Sequence, residues 1–292
     1  ALRTGEIDLN VDANPASAQR LSADSTLVIT SFPAAEYALI AWNTRRDPFT
    51  DPLVRRSLTH AKDREAIVDV VRGQYGSVSA GPVGPWHWTY DPTWEPIPFA
   101  PDSARALLEQ SGWIDEDGDG VRETRGVPLR FELLFTPRQA WMDVATIVQA
   151  NLADIGAAVE PGAREQASLV PLVTSPDRRF DAFLVSWARD VPLDDRDLWA
   201  CDRVDDPMQF TGWCHPELDA VLDSMQFVAD RESLRRLSRR YETLVAEAQP
   251  YTFLFNVETV LARRAGLRGV SADARGTWAS VTEWWLDPEA RR

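Results

Sequence analysis

The chain has 292 residues, 44% of them apolar and 26% charged, ordinary globular values that exclude wholesale disorder and allow one large or two modest domains. Its 31 basic residues face 45 acidic ones, a net charge of −14, so phosphate backbones and anionic lipid are repelled and nucleic acid is a poor partner. No run approaches the roughly 18 apolar residues that a bilayer-spanning helix requires.

Along the chain, Ile7, Leu9 and Val11 alternate with polar residues and read as a half-buried strand. Asn14-Pro15 opens a short helix, Asn as cap and Pro at the first position. Leu27 to Ile29 and Tyr37 to Trp42 are two further apolar runs of strand length. Asp51-Pro52 and Asp63 each start a helix, the second stopping at Gly73. From Gly76 to Pro101 there is no periodicity, but six prolines and Trp86, Trp88 and Trp94 crowd together, the composition of an ordered loop packed by its own rings or of a flexible flap, the ring density favouring the first. Asp102 is expected to cap a helix ending at Gly112, and Leu129 to Phe135 is strand-like. Gln139 to Ile155 is a helix closed by Gly156, with Val144, Ile147, Val148 and Leu152 on one stripe. Phe180 to Trp187 reads as a buried strand, Pro216 to Val228 and Arg231 to Ala248 as helices, and Tyr251 to Leu261 as a strand. Strands alternating with helices indicate an α/β fold.

Three constellations invite a chemical reading. Asp115, Asp117, Asp119 and Glu123 stand at positions 1, 3, 5 and 9 of a calcium-type loop with Gly120 at position 6, but position 12 is Gly126 where a bidentate Glu belongs. A candidate calcium site and a plain acidic turn are both open on this pattern. Cys201 and Cys214 sit 13 apart, which suits one disulfide or two buried thiols. Ser186-Trp187-Ala188-Arg189-Asp190 ends a strand in an aromatic plate followed three residues later by a carboxylate, an arrangement suited to a ligand with an ammonium group. His60, His87 and His215 lack partners at metal or base spacing, and no nucleophile motif or phosphate-binding glycine loop occurs, so the expectation is a protein that is not an enzyme and requires no cofactor. Two-carboxylate glycan hydrolysis is conceivable for an acidic, Trp-rich chain, but nothing singles out a pair.

Several segments together resemble the extracellular solute-binding proteins of the peptide/nickel class of ABC importers. The resemblance runs through Trp42-Asn43, Pro48 to Leu58, Ala61 to Val68, Ala104 to Leu108, Gly112-Trp113, the loop from Asp117 to Glu123, Phe180-Asp181, Trp187, and His215 to Asp219. In order and spacing it extends from Gly5-Glu6-Ile7-Asp8 to Trp284-Trp285.

The resemblance implies a two-lobed periplasmic-binding-protein fold of type II, α/β in each lobe, with ligand enclosed between the lobes. It implies that residues 1–42 finish the first lobe and include a hinge strand, that 43–264 form a near-complete second lobe, and that 265–292 cross back. Most of the first lobe would then lie outside this chain, which opens at Ala1-Leu2-Arg3 without a signal segment. It assigns Trp187 and Asp190 to the ligand, Asp190 receiving the α-ammonium of a peptide, with Arg189 as a competing partner for that carboxylate. Relatives of the dipeptide type carry a cysteine pair at this spacing, which favours a Cys201–Cys214 disulfide. The expected location is the periplasm or cell surface and the expected partners are a peptide and the membrane permease of the importer, with self-association of the shortened chain. A nickel chelate, an oligosaccharide or another solute on the same scaffold, or a sensory derivative that no longer transports, are the alternatives.

Overall fold

The computed structural model describes residues 1–189 and 193–288. In chain order its elements are β1 (Leu9–Asn10), α1 (Pro15–Leu21), β2 (Leu27–Trp42), α2 (Pro52–His60), α3 (Arg64–Val71), β3 (Gly76–Val78), α4 (Pro101–Gln110), β4 (Glu123–Thr124), β5 (Val127–Pro128), β6 (Arg130–Phe135), α5 (Gln139–Ala153), β7 (Ala158–Ala163), α6 (Gln166–Thr174), β8 (Ala182–Ala188), α7 (Arg196–Trp199), α8 (Pro216–Phe227), α9 (Arg231–Ala248), β9 (Tyr251–Arg264), β10 (Leu267–Arg268) and β11 (Trp285–Leu286).

The helix starts follow from local chemistry. Asn14, Asp51, Asp63 and Asp230 each accept backbone N–H groups of the first turn, and Pro follows the cap in α1 and α2. Asp102 is not the cap of α4: Ala100 holds that position, and Asp102 sits inside the first turn, paired with Arg105 at 2.6 Å. Helix α5 ends as expected, Gly156 adopting φ 83° while Ala157 N–H closes on Leu152 O at 2.9 Å.

A mixed sheet runs in the order β1-β9-β2-β8-β6-β7, with β3 added to β9. Strands β2, β8 and β9 are mutually antiparallel where they pair, and β6 is parallel to both β7 and β8. Period-two alternation sends Ile40 and Trp42 to one face and Leu39 and Ala41 to the other. The first face packs on α2, α3, α4 and α5 through Leu58, Ile67, Leu108 and Val148, the second on α6 to α9 through Leu169, Leu198, Leu222 and Val245. This is a three-layer α/β/α body.

Leu27–Ile29 and Tyr37–Trp42 are one strand rather than two. Its second half belongs to the three-layer body; its first half joins Leu2, Ala13, Ala18, Tyr75, Val260 and Ala262 in a smaller core. Between them the pairing of β2 with β9 shifts register at Pro33/Tyr37 and again at Ala38/Leu39. Proline lacks the N–H that a ladder needs, so the irregularity falls where the strand passes from one core to the other.

The strand expected over Ile7–Val11 reduces to the two paired residues of β1. No helix among the described residues is long and apolar enough to cross a membrane.

Candidate functional site

Strand β8 delivers Trp187 to the end of the sheet. Its backbone is fixed opposite Tyr37 of β2, and its half-buried ring meets the edge of Phe210 at 5.4 Å with the planes 83° apart. Two residues on, Arg189 N–H donates to Ala35 O at 2.7 Å, extending the pairing by one step.

The Arg189 side chain turns inward. Its guanidinium donates to Asp195, and the two side chains are 3% and 4% exposed. Asp195 Oδ2 also accepts from the Tyr241 hydroxyl, whose oxygen accepts from Trp199 Nε1 at 2.9 Å. Burial alone would depress the Arg189 pKa, but the Asp195 carboxylate outweighs it and holds the guanidinium charged. Burial first, and Asp195 second, push the Tyr241 hydroxyl well above its ordinary range. On its other side Arg189 lies 5.7 Å from the ring of Trp86, and His87 follows with its pKa lowered to about 4 by burial and by Arg189. His87 Nδ1 accepts from Thr89 N–H at 3.2 Å and sits 2.7 Å from the Thr89 hydroxyl, which reaches Ser238 at 2.9 Å. The imidazole is therefore neutral.

A pocket of about 370 Å³ opens beside Trp187, bounded by Ala188, Arg189, Asp194, Asp195, Asp197 and Leu198. With Arg189 committed to Asp195, and Asp197 paired with Arg203, the carboxylate of Asp194 has no cation partner among the described residues. Asp190, expected to receive an ammonium group, lies outside the described residues. On the opposite side of β8, beyond Ser186, a larger cleft of about 560 Å³ is lined by Glu36, Arg72, Arg138, Trp141 and Glu258 among others. Arg72 donates to Glu258 O at 2.6 Å, while Arg138 is exposed and unpaired among the described residues.

The other expected sites lie elsewhere. Cys201 and Cys214 are joined, their Cα atoms 5.1 Å apart. Asp115 accepts from Gly118 and Gly120 N–H, Asp117 from Asp119, Asp119 from Val121, and Glu123 from Glu116. Asp115, Asp117 and Glu123 each offer an oxygen within 4.8 Å of the others, and Asp119 is not in that trio. Gly126, at the position where a calcium loop places its last ligand, is instead a turn residue of the β4–β5 hairpin: Arg125 and Gly126 have φ of 52° and 74°, the left-handed pair such a two-residue turn requires. His60 donates to Pro98 O at 3.1 Å and His215 stacks on Trp213, so the three histidines are dispersed.

Sequence reading did not single out Asp195, Tyr241, Trp199 or Phe210. Asp195 and Tyr241 are 46 residues apart, and no spacing marks a pair of that kind. Phe210 carried one available signal, its place inside the Cys201–Cys214 loop.

Residues 1–206 match the bacterial extracellular solute-binding proteins, family 5, middle section. The chain is 29% identical over 268 residues to the oligopeptide-binding protein AppA of Bacillus subtilis, covering 90% of this chain and 49% of that protein. It is 26% identical over 254 residues to a dipeptide-binding protein of Pseudomonas aeruginosa, covering 86% and 46%. Among solved structures, AppA of B. subtilis in complex with a nonapeptide superposes with a TM-score of 0.85 at 26% identity, over 98% of this chain and 57% of that one. NikZ of Campylobacter jejuni with Ni(L-His) gives a TM-score of 0.81 at 21% identity over 97% and 58%, a likeness of fold. The chain spans about half the length of the curated relatives it matches.

Proposed function

The chain belongs to the bacterial extracellular solute-binding proteins of family 5, and from that premise we propose that it supplies one wall of a peptide-binding cleft in a receptor serving an ABC importer. The type II fold, the disulfide and an extracytoplasmic location agree with that membership. The lobe boundaries we assign are 1–42 for the end of the first lobe and the hinge strand β2, 43–264 for the second lobe and 265–292 for the return, with β2 and β9 each shared between the three-layer body and the smaller core.

The observation that carries the reading is Trp187: a half-buried aromatic plate at a strand end, beside a pocket whose one cation is already bound to Asp195. A peptide laid against this edge offers main-chain donors and acceptors to any side-chain sequence, and a stacking surface plus one free carboxylate near its ammonium group fixes its register. Arg189, expected as a competing partner for Asp190, donates to Asp195. Closure of a second lobe over the ligand would stabilise one form of the hinge, which the permease reads. AppA and the P. aeruginosa relative bear peptide-binding names, which favours a peptide over a nickel chelate or an oligosaccharide.

The test is selectivity for the free amine. Trialanine at millimolar concentration should perturb the fluorescence of the chain, and N-acetyl-trialanine should not. The trialanine response should be lost in Asp190→Asn and in Trp187→Ala. Equal responses to the two peptides, or responses that survive both substitutions, would overturn the assignment.

A further inference from the structure

Strand pairing fixes the backbone of Trp187 but not its ring, which can choose among several staggered side-chain rotamers. The ring has a partner in Phe210, itself 6% exposed, which stands edge-on to Trp187 at 5.4 Å and to Phe183 at 5.2 Å. Phe183 in turn meets Phe180 at 5.1 Å, so a file of rings leads from the core of the lobe to the plate.

Phe210 is not on a strand or a helix. It sits in the loop closed by Cys201 and Cys214, and that loop is tied down from several directions. Arg178, 1% exposed, donates from Nη2 to Asp206 O at 2.7 Å and to Gln209 O at 2.8 Å. Thr44 gives both its N–H and its hydroxyl to Thr211 O, at 2.9 and 3.0 Å. Gln209 accepts from Gly212 N–H at 2.9 Å and donates to Trp213 O at 2.5 Å. Leaving a buried guanidinium donor unmatched is costly, so the two loop carbonyls that Arg178 Nη2 holds favour a single loop conformation, although its buried Nε has no partner among the described residues. Every tie falls within a few residues of Phe210.

We propose that Phe210, presented by the Cys201–Cys214 loop, is the positioning residue that sets the orientation of Trp187. The inference rests on the reading of Trp187 as a ligand-facing plate for its significance, but the positioning itself is a property of the ligand-free chain. An edge-to-face contact fixes the angle of a ring as well as its place. Leucine fills much of the same volume and supplies no edge, whereas tyrosine keeps the ring.

The experiment uses the whole chain labelled with 5-fluorotryptophan and observed by fluorine NMR without ligand, the Trp187 line being assigned from Trp187→Phe. Phe210→Leu should shift or broaden that line and leave the lines of buried Trp42 and Trp113 in place, and Phe210→Tyr should restore it. The double substitution Cys201→Ala/Cys214→Ala should move the Trp187 line in the same direction as Phe210→Leu. It also serves as the deciding variant if Phe210→Leu does not fold. A Trp187 line unchanged in the folded variants, or all tryptophan lines moving together as they would for a merely structural residue, overturns the proposal. Trialanine added afterwards separates the two ideas. A Trp187 line that responds to Phe210→Leu but not to peptide sinks the peptide reading alone, and one that responds to peptide but not to Phe210→Leu sinks the positioning alone.

Discussion

Lys62 carries the sole lysine amine of this chain into a site with no exposed surface. Its Nζ donates to Leu58 O at 2.6 Å and lies 4.7 Å from the centre of the Trp42 ring. One hydrogen bond and one aromatic face do not replace the hydration of an ammonium ion, so burial, helped by Arg64, pushes its pKa well below the usual range. The unfolded chain then holds a proton that the native chain does not, and stability rises with pH from the depressed native pKa up to about 10.4. Lys62→Met should therefore gain roughly 1–3 kcal/mol at pH 7 in urea unfolding, with the gain shrinking by pH 10. An equal gain at both pH values would mean that packing, not charge, is what changed. Glu242 works in the opposite sense. It is 4% exposed, and burial, opposed only by Arg239, raises its carboxyl to about 8. A carboxyl raised in the native state contributes stability that is complete below about pH 4.3 and is lost as pH climbs through about 8. Glu242→Gln should abolish that decline, and a wild-type unfolding free energy that stays level from pH 5 to pH 8.5 while the variant's does the same would contradict it.

Among the elements, what could be read in the sequence was what local chemistry decides. The Asn-Pro and Asp-Pro starts, the span of α9 and the glycine closing α5 all depend on residues a few positions apart, and the helices form where those signals stand. Two of the elements missed have local signals that oppose the fold. Strand β7 contains Pro161 and Gly162, tolerable because it lies at the sheet edge, and α6 holds Pro171 in its interior. Trp187 was legible as a strand end, whereas the Asp195–Tyr241 contact that occupies Arg189 depends on α9 packing back over the sheet. The loop after β3 shows how tryptophans order an aperiodic segment: Trp88 lies 5.4 and 5.5 Å from the guanidinium groups of Arg231 and Arg235, and Trp94 5.9 Å from that of Arg239. At Gly84 in that loop, a methyl group would stand 2.7 Å from Trp86 Nε1 and 2.8 Å from Asn256 Oδ1. Gly84→Ala should accordingly lower the melting temperature by several degrees, about 1–3 kcal/mol for an overpacked site, and an unchanged transition would show that the loop shifts freely. The disulfide contributes at the same scale. Closing a loop of this length is worth roughly 3 kcal/mol in the chain-entropy account, so Cys201→Ala/Cys214→Ala should lose about that much in urea unfolding. A loss under about 1 kcal/mol would assign the loop's order to Arg178 and Thr44 instead.

For the molecule as a whole, the consequential feature is that β2 and β9 serve two cores at once, the three-layer body and the small cluster around Leu2, Ala18 and Val260. The first body is a full α/β/α unit with its own buried interior; the second is a small cluster, and Trp278, Trp285 and Ile7, outside either core, are 60%, 53% and 41% exposed. Sites for small molecules bind tightly when they bury most of the ligand's surface, and the chain spans about half the length of the curated relatives it matches. A stacking ring and a carboxylate facing water contribute little, about 0–1 kcal/mol for an exposed charge pair. We therefore expect the 292-residue chain alone to bind di- to pentapeptides no more tightly than about millimolar, near −4 kcal/mol, by titration calorimetry. Its exposed tryptophans should instead bring copies together, so sedimentation velocity should show a concentration-dependent shift that Trp278→Ser/Trp285→Ser reduces. Micromolar binding of a free-amine peptide to a monomeric chain, abolished in Asp190→Asn, would show that this wall holds its ligand unaided and that enclosure by a second lobe is not the source of affinity.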